Sequence, residues 1–207
     1  MFKRMSVLVR REGDDRAYFS AKWKGHAAPV SSLPKVRGYI QNHIEEEFSV
    51  PGKTAPIKAD GFVELYWDRP EDMAEAFKSP LAKPMIDDEP GFLGHGSGYA
   101  LAEAHPLKDS DGGKLILALV YEEPGSLFED LDSVIVSLGA THSIRDDVTG
   151  LIDKPYMAPS QPVDSFVHLY FNSKEEARLA GKKLAELSSR MAKGSAGIYS
   201  VYTVRFV

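Results

Sequence analysis

The sequence predicts an α+β fold made of two copies of one small βαββαβ unit, fused in a single chain and packed sheet to sheet. Three observations predict it. A strand-to-helix unit occurs twice, with Val63-Glu64-Leu65-Tyr66-Trp67-Asp68 running into Arg69 to Leu81 and Val167-His168-Leu169-Tyr170-Phe171-Asn172 running into Ser173 to Leu187. In both copies a stretch of high β propensity ends at Asp or Asn, a residue type that caps helices. Between the copies, Lys108-Asp109-Ser110-Asp111-Gly112-Gly113 has the composition of a linker, which separates a unit over residues 1–107 from a diverged one over residues 114–207.

The elements follow in order. Lys3 to Arg11 alternates as a strand and closes at Glu12-Gly13-Asp14-Asp15, where an Asp can cap a helix over Arg16 to Ala28. On that helix Phe19, Trp23, His26 and Ala27 recur at i, i+4, i+7 and i+8, hence on one face, and Pro29 is read as its stop. A strand from Val36 to His43 places Tyr39, Gln41 and His43 on one side. An acidic loop, a strand to Asp68, a helix from Pro70 to Lys78, a long loop through Pro80, Pro84 and Pro90, and a strand from Ser97 to His105 complete the first unit. The second unit repeats the order: strand Leu115–Tyr121, helix Leu127–Leu138, strands Ala140–Asp146 and Val163–Phe171, a helix with Ala177, Ala180, Leu184, Leu187 and Met191 on one stripe, and strand Ile198–Phe206. This is the ferredoxin-like order, whose helices cover one sheet face and leave the other to a partner.

Composition narrows the function. A net charge of −5 opposes sequence-independent nucleic-acid binding, and the absence of Cys removes disulfide, thiolate and Cys-ligated metal chemistry. No apolar run reaches about 20 residues and no basic-then-apolar leader is read, so the expectation is a cytoplasmic protein without a membrane partner. The histidines form no i, i+4 pair and no H-E-x-x-H, so no metal site is expected. Gly94-His95-Gly96-Ser97-Gly98 lacks the strand and helix of a phosphate-binding turn and reads as a loop over a pocket mouth, while Asp87-Asp88-Glu89 reads as a solvated loop.

With helices on one face, Tyr39, Gln41 and His43 are expected to point to the other, with Glu64, Tyr66, His168 and Tyr170, into the space between the sheets. A Tyr/His/Glu cluster in an apolar cavity suits proton transfer. Trp67 and Phe171, out of phase with the tyrosines, read as helix-packing core. By physics alone His26 is a satisfied core residue.

Four segments carry a resemblance: Arg16-x-x-Phe19-x-x-x-Trp23-x-x-His26-Ala27, Val36-Arg37-Gly38-Tyr39-x-Gln41-x-His43, Asp60-Gly61-x-x-Glu64-Leu65-Tyr66 and Asp88-Glu89-x-x-Phe92-Leu93. Together they resemble the EthD-like family of dimeric α+β barrel proteins over about the first 107 residues. The second half has Phe128 and Leu131 but neither the Trp nor the His of the first helix. The family includes a subunit-like protein of ether degradation, fungal dehydratases acting on polyketides, and methylmuconolactone methylisomerase. The resemblance implies a cofactor-free pocket for a small apolar, aromatic or lactone-like compound. It also implies His26 and Tyr39 as acid/base and substrate-orienting groups, with Trp23 as a wall; strand alternation adds Gln41, His43, Glu64, Tyr66 and His168 as substrate-binding residues around the space between the sheets. The leading expectation is a cofactor-independent isomerase or lyase, and the alternative is a non-catalytic binding or accessory protein. Haem binding, with His168 or His142 as axial ligand, is a third reading. The tandem chain is expected to close the barrel as a monomer with an internal pseudo-dimer, or to form a homodimer.

Overall fold

The computed structural model describes residues 1–103, 105, 112–122, 131–154, 157–189 and 194–207. Most of the expected linker and the start of the Leu127–Leu138 helix lie outside the described residues, as does Met191.

Strand β1 (Phe2–Arg10) turns through Gly13, at φ +89°, into helix α1 (Arg16–Gly25), whose first turn is capped by Asp15 accepting from Tyr18 N at 2.7 Å. Pro29 does not end the helical segment. The chain bends at His26 and continues as α2 (Ala27–Ser31), where Pro29 occupies the first turn and its missing N–H leaves no bond unmade. Strands β2 (Gly38–Glu47) and β3 (Gly61–Trp67) lead to α3 (Pro70–Lys78). The stretch expected as a long loop holds a 3-10 turn over Pro80–Ala82, helix α4 (Lys83–Asp88) and a second turn over Glu89–Gly91. Its prolines start these turns rather than breaking them, each lying within the first two positions.

The glycine-rich run is not a loop but the body of β4 (Leu93–Leu101). Close backbone approach explains its composition, since a Cβ on Gly94 would stand 2.7 Å from Arg10 O and one on Gly98 2.7 Å from Ile152 O. The second half follows as β5 (Gly113–Tyr121), α5 (Leu131–Ser137), β6 (His142–Ile152), β7 (Ser165–Phe171), α6 (Lys174–Ser188) and β8 (Gly194–Arg205).

The eight strands close an antiparallel barrel in the order β1-β3-β2-β8-β5-β7-β6-β4. The first four strands are ordered β4-β1-β3-β2 and the last four β8-β5-β7-β6, and the ring closes through β2–β8 and β4–β6. Three cores result. One fills the barrel, around Phe62, Phe166, Tyr99 and Tyr199. One lies between the outer sheet face and α1–α4, with Phe19, Trp23, Trp67 and Phe92, and one lies under α6, with Leu117, Leu169, Phe171 and Leu184. Of the expected stripe on α6, Ala177, Ala180 and Leu184 are buried and Leu187 is half-buried.

The connections between second and third strands are exchanged across the molecule. Phe48 and Val50, after β2, complete the core under α6, where Phe48 packs so closely on Gly181 that a Cβ there would meet its ring at 2.5 Å. In return the chain after β6 lies on the first half, with Met157 packed against the core under α1 and Lys154 paired with Glu89.

Candidate functional site

Pairing register decides which side chains meet. Tyr39 stands opposite Leu65, and Ile40 opposite Glu64. Residues directly across a ladder share a face, so Tyr39, Gln41 and His43 point outward to the helices, while Glu64 and Tyr66 point into the barrel. The expected single cluster is therefore two clusters on opposite faces of one sheet. The sequence reading placed the bulky polar side of β2 away from the helices; instead Tyr39 lines a cavity under the helix layer, while Gln41 and His43 bond to Trp23 O and the Ser20 hydroxyl of α1.

That cavity, of about 40 Å³, is lined by His26, Tyr39 and Trp23 with Leu8, Val63, Leu65 and Phe92, and by Arg4, Glu89 and Lys154. It shares Arg4, Phe77, Met85 and Lys154 with an adjoining, more apolar space of about 500 Å³ that also touches Met73, Ile86 and Ile152. Helix α1 brings Trp23 and its C-cap His26 to the wall because both lie on its buried face. His26 is 5% exposed and its Nδ1 lies 2.8 Å from Asp88 Oδ2. A carboxylate at Nδ1 accepts its N–H and leaves the lone pair on Nε2. Burial pushes His26 below the ordinary imidazole value, with Asp88 and Glu89 pulling part of the way back, so the ring is neutral near pH 7. The Asp87-Asp88-Glu89 run is thus the end of α4 and the following turn, and two of its three carboxylates hold site residues.

Tyr39 is held by a directional chain. Gln41 Nε2 donates to the Tyr39 oxygen at 2.7 Å and to Trp23 O at 2.7 Å, and Gln41 Oε1 lies 2.9 Å from His43 Nε2. Since an amide oxygen only accepts, His43 carries its proton on Nε2, and Nδ1 accepts from the Ser20 hydroxyl at 2.9 Å, itself 2.8 Å from Tyr202 OH. Burial, with Lys24 adding to it, lowers His43 to about 3, so the ring stays neutral and the chain keeps its direction. The Tyr39 oxygen is occupied as an acceptor, leaving its O–H as the donor. Burial raises the phenol above its ordinary value and keeps that proton in place.

Trp23 is fixed from behind. A Cβ on Gly61 would lie 2.3 Å from Trp23 Cζ3, and the ring packs 4.3 Å from His43 and 5.6 Å from Phe19 between centroids. Gly61→Ala is expected to displace the indole and cost about 1–3 kcal/mol, read by urea unfolding. A variant as stable as the parent would contradict this packing.

The inward cluster joins both halves. Glu64 receives Lys114 Nζ at 2.8 Å, Asn42 Nδ2 at 2.9 Å and Tyr66 OH at 2.9 Å, and Lys3 Nζ lies 2.8 Å from Oε2. Lys3 also binds Asp146 at 2.6 Å, and His168 Nε2 stands 3.0 Å from the same oxygen. Burial alone would raise Glu64, but the Lys114 and Lys3 ammonium groups overcome it and hold the carboxyl well below the usual range. Burial lowers His168, and Lys3 adds to it, so His168 is neutral. With both lysines and both acids ionised the set is charge-balanced, and its contacts are internal. Sequence reading placed Glu64, Tyr66 and His168 together but missed Lys3, Lys114, Asn42 and Asp146. For two of them a signal was present: Asn42 and Asp146 stand at the same offset that relates Glu64 to His168 and Tyr66 to Tyr170. Arg4, Glu89 and Lys154 were also missed, and no local periodicity marks them.

Residues 11–96 match the family model described as the EthD domain. Over that segment the chain is similar to the EthD domain. Its match spans α1 to β4, the segment that supplies His26, Tyr39, Trp23 and Glu89 to the cavity. No curated protein sequence matched the chain. Among solved structures, an anthrone oxidase-like protein is similar with a TM-score of 0.57 at 10% identity, over 99% of this chain and 92% of that one. A candidate monooxygenase from Lactobacillus acidophilus NCFM gives 0.51 at 10% identity, over 99% and 94%. A variant of Rhodococcus jostii RHA1 DypB in complex with heme gives 0.50 at 10% identity, over 97% and 92%. At these identities the likeness is one of fold: the matched segment lies within an eight-stranded antiparallel barrel with helices on its outer face.

Neither histidine expected as an axial ligand, His168 or His142, is placed to hold a haem. His168 is fully buried against Asp146 inside the packed barrel, His142 is exposed beside Tyr170, and His26 faces the small cavity with Asp88 on Nδ1. No histidine among the described residues lines the larger space. Among them no group of three His, Cys, Asp or Glu side chains gathers as metal ligands, and no helix is long and apolar enough to cross a membrane.

Proposed function

We propose that the cavity beneath α1–α4, together with the adjoining space of about 500 Å³, binds a small apolar, aromatic or lactone-like molecule and moves a proton on it without a cofactor, as an isomerase or lyase. The observation that carries this reading is that His26 and Tyr39 line one cavity, one as a neutral imidazole with its tautomer set by Asp88, the other as a phenol whose oxygen is already engaged by Gln41. His26 Nε2 takes a proton from the carbon next to a carbonyl, and the bonding pair moves into the enolate. The Tyr39 O–H donates to the enolate oxygen. The imidazolium then returns the proton to another carbon, which isomerises the substrate, or to a departing hydroxyl, which leaves as water. Trp23 forms the wall, and Gln41 and His43 act as positioning residues for Tyr39. Glu64, Tyr66 and His168, on the inner face, support the barrel in this reading and do not touch substrate.

The proposal includes a tandem origin, with units over 1–107 and 114–207 forming a pseudo-dimer in one chain. It is supported by the identical strand order of the two quartets and by the constant offset linking Ile40 with Ile144, Phe62 with Phe166 and Tyr66 with Tyr170. The ammonium groups of Lys3 and Lys114 over the Tyr66 and Tyr170 rings, at 5.5 and 5.2 Å, repeat the same relation.

Once a substrate is found, His26→Ala is expected to lower kcat by roughly 10²–10⁴-fold and Tyr39→Phe by about 10²-fold, with binding largely kept. The apolar larger space favours a second reading, a carrier or accessory protein, because its lining binds without using His26. Tight binding that survives both substitutions, with no turnover in the parent, would decide for the carrier.

A further inference from the structure

A serine inside a helix usually turns its hydroxyl to solvent or back to the carbonyl one turn earlier. Ser20, in the middle of α1, does otherwise: its Oγ lies 2.9 Å from His43 Nδ1 and 2.8 Å from Tyr202 OH. Ser20, His43 and Tyr202 line a further space of about 280 Å³, bordered by α1, β2 and β8. It shares no lining residue with the cavity that holds His26.

The protons there have fixed places. His43 donates from Nε2 to Gln41 Oε1, so Nδ1 presents a lone pair and the Ser20 O–H donates to it. With its one proton so used, Ser20 Oγ accepts from Tyr202 O–H. A hydroxyl, an imidazole that accepts its proton and an amide that sets the imidazole tautomer stand in the order of a nucleophile, its base and the group orienting that base. The base is rigidly held. His43 stands opposite Tyr202 in the β2–β8 ladder, with the two rings nearly parallel at 4.7 Å and the Trp23 ring 4.3 Å away. Those aromatic faces stabilise an imidazolium once it forms. Arg16, one turn before Ser20, borders the same space; its Nη2 lies 3.6 Å from Asp60 Oδ1, and its buried Nε–H makes no hydrogen bond among the described residues. Since burial lowers His43 to about 3, the ring is free of a second proton at neutral pH, and so weak a base suits leaving groups that depart without a proton.

We propose that Ser20 is the nucleophile of a second, acyl-transferring site that hydrolyses small aryl esters, with His43 as general base and Gln41 as the positioning residue for His43. Ser20 Oγ forms a bond to the ester carbonyl carbon while its proton passes to His43 Nδ1, and the carbonyl pair moves onto oxygen, where Tyr202 O–H and the Arg16 guanidinium stabilise it. The pair returns, the bond from the acyl carbon to the aryl oxygen breaks, the phenolate leaves and His43 releases its proton to solvent. Water then attacks the acyl group as His43 takes its proton; the Ser20 ester bond breaks, the acid departs and His43 returns the proton to Ser20. This activity does not depend on proton transfer at His26. It also gives the second half a part in catalysis, because Tyr202 belongs to β8.

The test treats the full chain at pH 7 with 4-nitrophenyl acetate and, separately, with an alkyl fluorophosphonate, which phosphonylates activated serines. The parent is expected to release 4-nitrophenolate in a stoichiometric burst and to gain a phosphonyl group that peptide mass mapping places on Ser20. Ser20→Ala should abolish the burst and the labelling at that position, His43→Gln should slow both about 10²-fold, and Tyr202→Phe should slow both at least tenfold; circular dichroism and melting curves establish that each variant is folded. A serine that only satisfies His43 would not be labelled. No adduct on Ser20 of the folded parent, a burst that survives in Ser20→Ala, or a folded His43→Gln protein labelled at the parental rate overturns the proposal.

Discussion

Glu64→Gln is expected to cost about 3–5 kcal/mol, because it removes one charge from a buried balanced set and leaves an ammonium group without compensation. For a chain of this size that is a fall of roughly 6–20 °C in melting temperature. The side chain keeps its shape, so packing changes little. What changes is that, of the two lysines 2.8 Å from a Glu64 oxygen and essentially without solvent contact, Lys3 keeps its ion pair with Asp146 while Lys114 is left with the neutral Asn42 Oδ1. The double variant Glu64→Gln, Lys114→Met removes a charge of each sign and is expected to recover a substantial part of the loss. A thermal melt of the three proteins checks both statements, and a Glu64→Gln protein that melts with the parent would show that the interior cluster is not ionised as described.

The second large effect is a loss of stability in mild acid. His26, His43 and His168 are all held neutral, burial being the first cause in each, and His43 is lowered to about 3. In the unfolded chain each takes up a proton near pH 6.5. The native state does not, so the unfolded state binds more protons as pH falls. Stability contributed by these depressed groups is complete above about pH 6.5 and is lost below it, for His43 down to about pH 3. Each contributes a slope of up to about 1.4 kcal/mol per pH unit. Urea midpoints should be nearly flat from pH 8 to 7 and fall steeply from pH 6 to 4. His43→Asn should reduce the slope, and a midpoint unchanged between pH 7 and 5 would refute the assignment of neutral rings.

Much of the architecture was legible because its signals are local. The V-x-L-Y-aromatic stretches mark β3 and β7, and the Phe19, Trp23, His26 spacing marks the buried face of α1. The inward pair Glu64 and Tyr66, with His168 across the barrel, followed from strand alternation alone. The face of β2 did not, because alternation gives two sides without naming them. Polarity was used to choose, and Tyr39, Gln41 and His43 are polar for the sake of one another and of a cavity under the helices. Their true side is set by pairing with β3, a contact between distant segments. Lys154 and Glu89 were invisible for a related reason. They meet across 65 positions through a connection that carries no periodic pattern.

Closure of the eight-stranded ring has a consequence for how this molecule meets others. An open sheet ends in a row of unpaired N–H and C=O groups that can template a further strand. Here β2 is paired to β8 and β4 to β6, where four-stranded sheets of this order would otherwise expose their margins. Strand addition, the commonest accident of sheet proteins and one of their routes to peptide capture, is thereby closed to it. Any other chain that recognises this barrel must read its helices and loops.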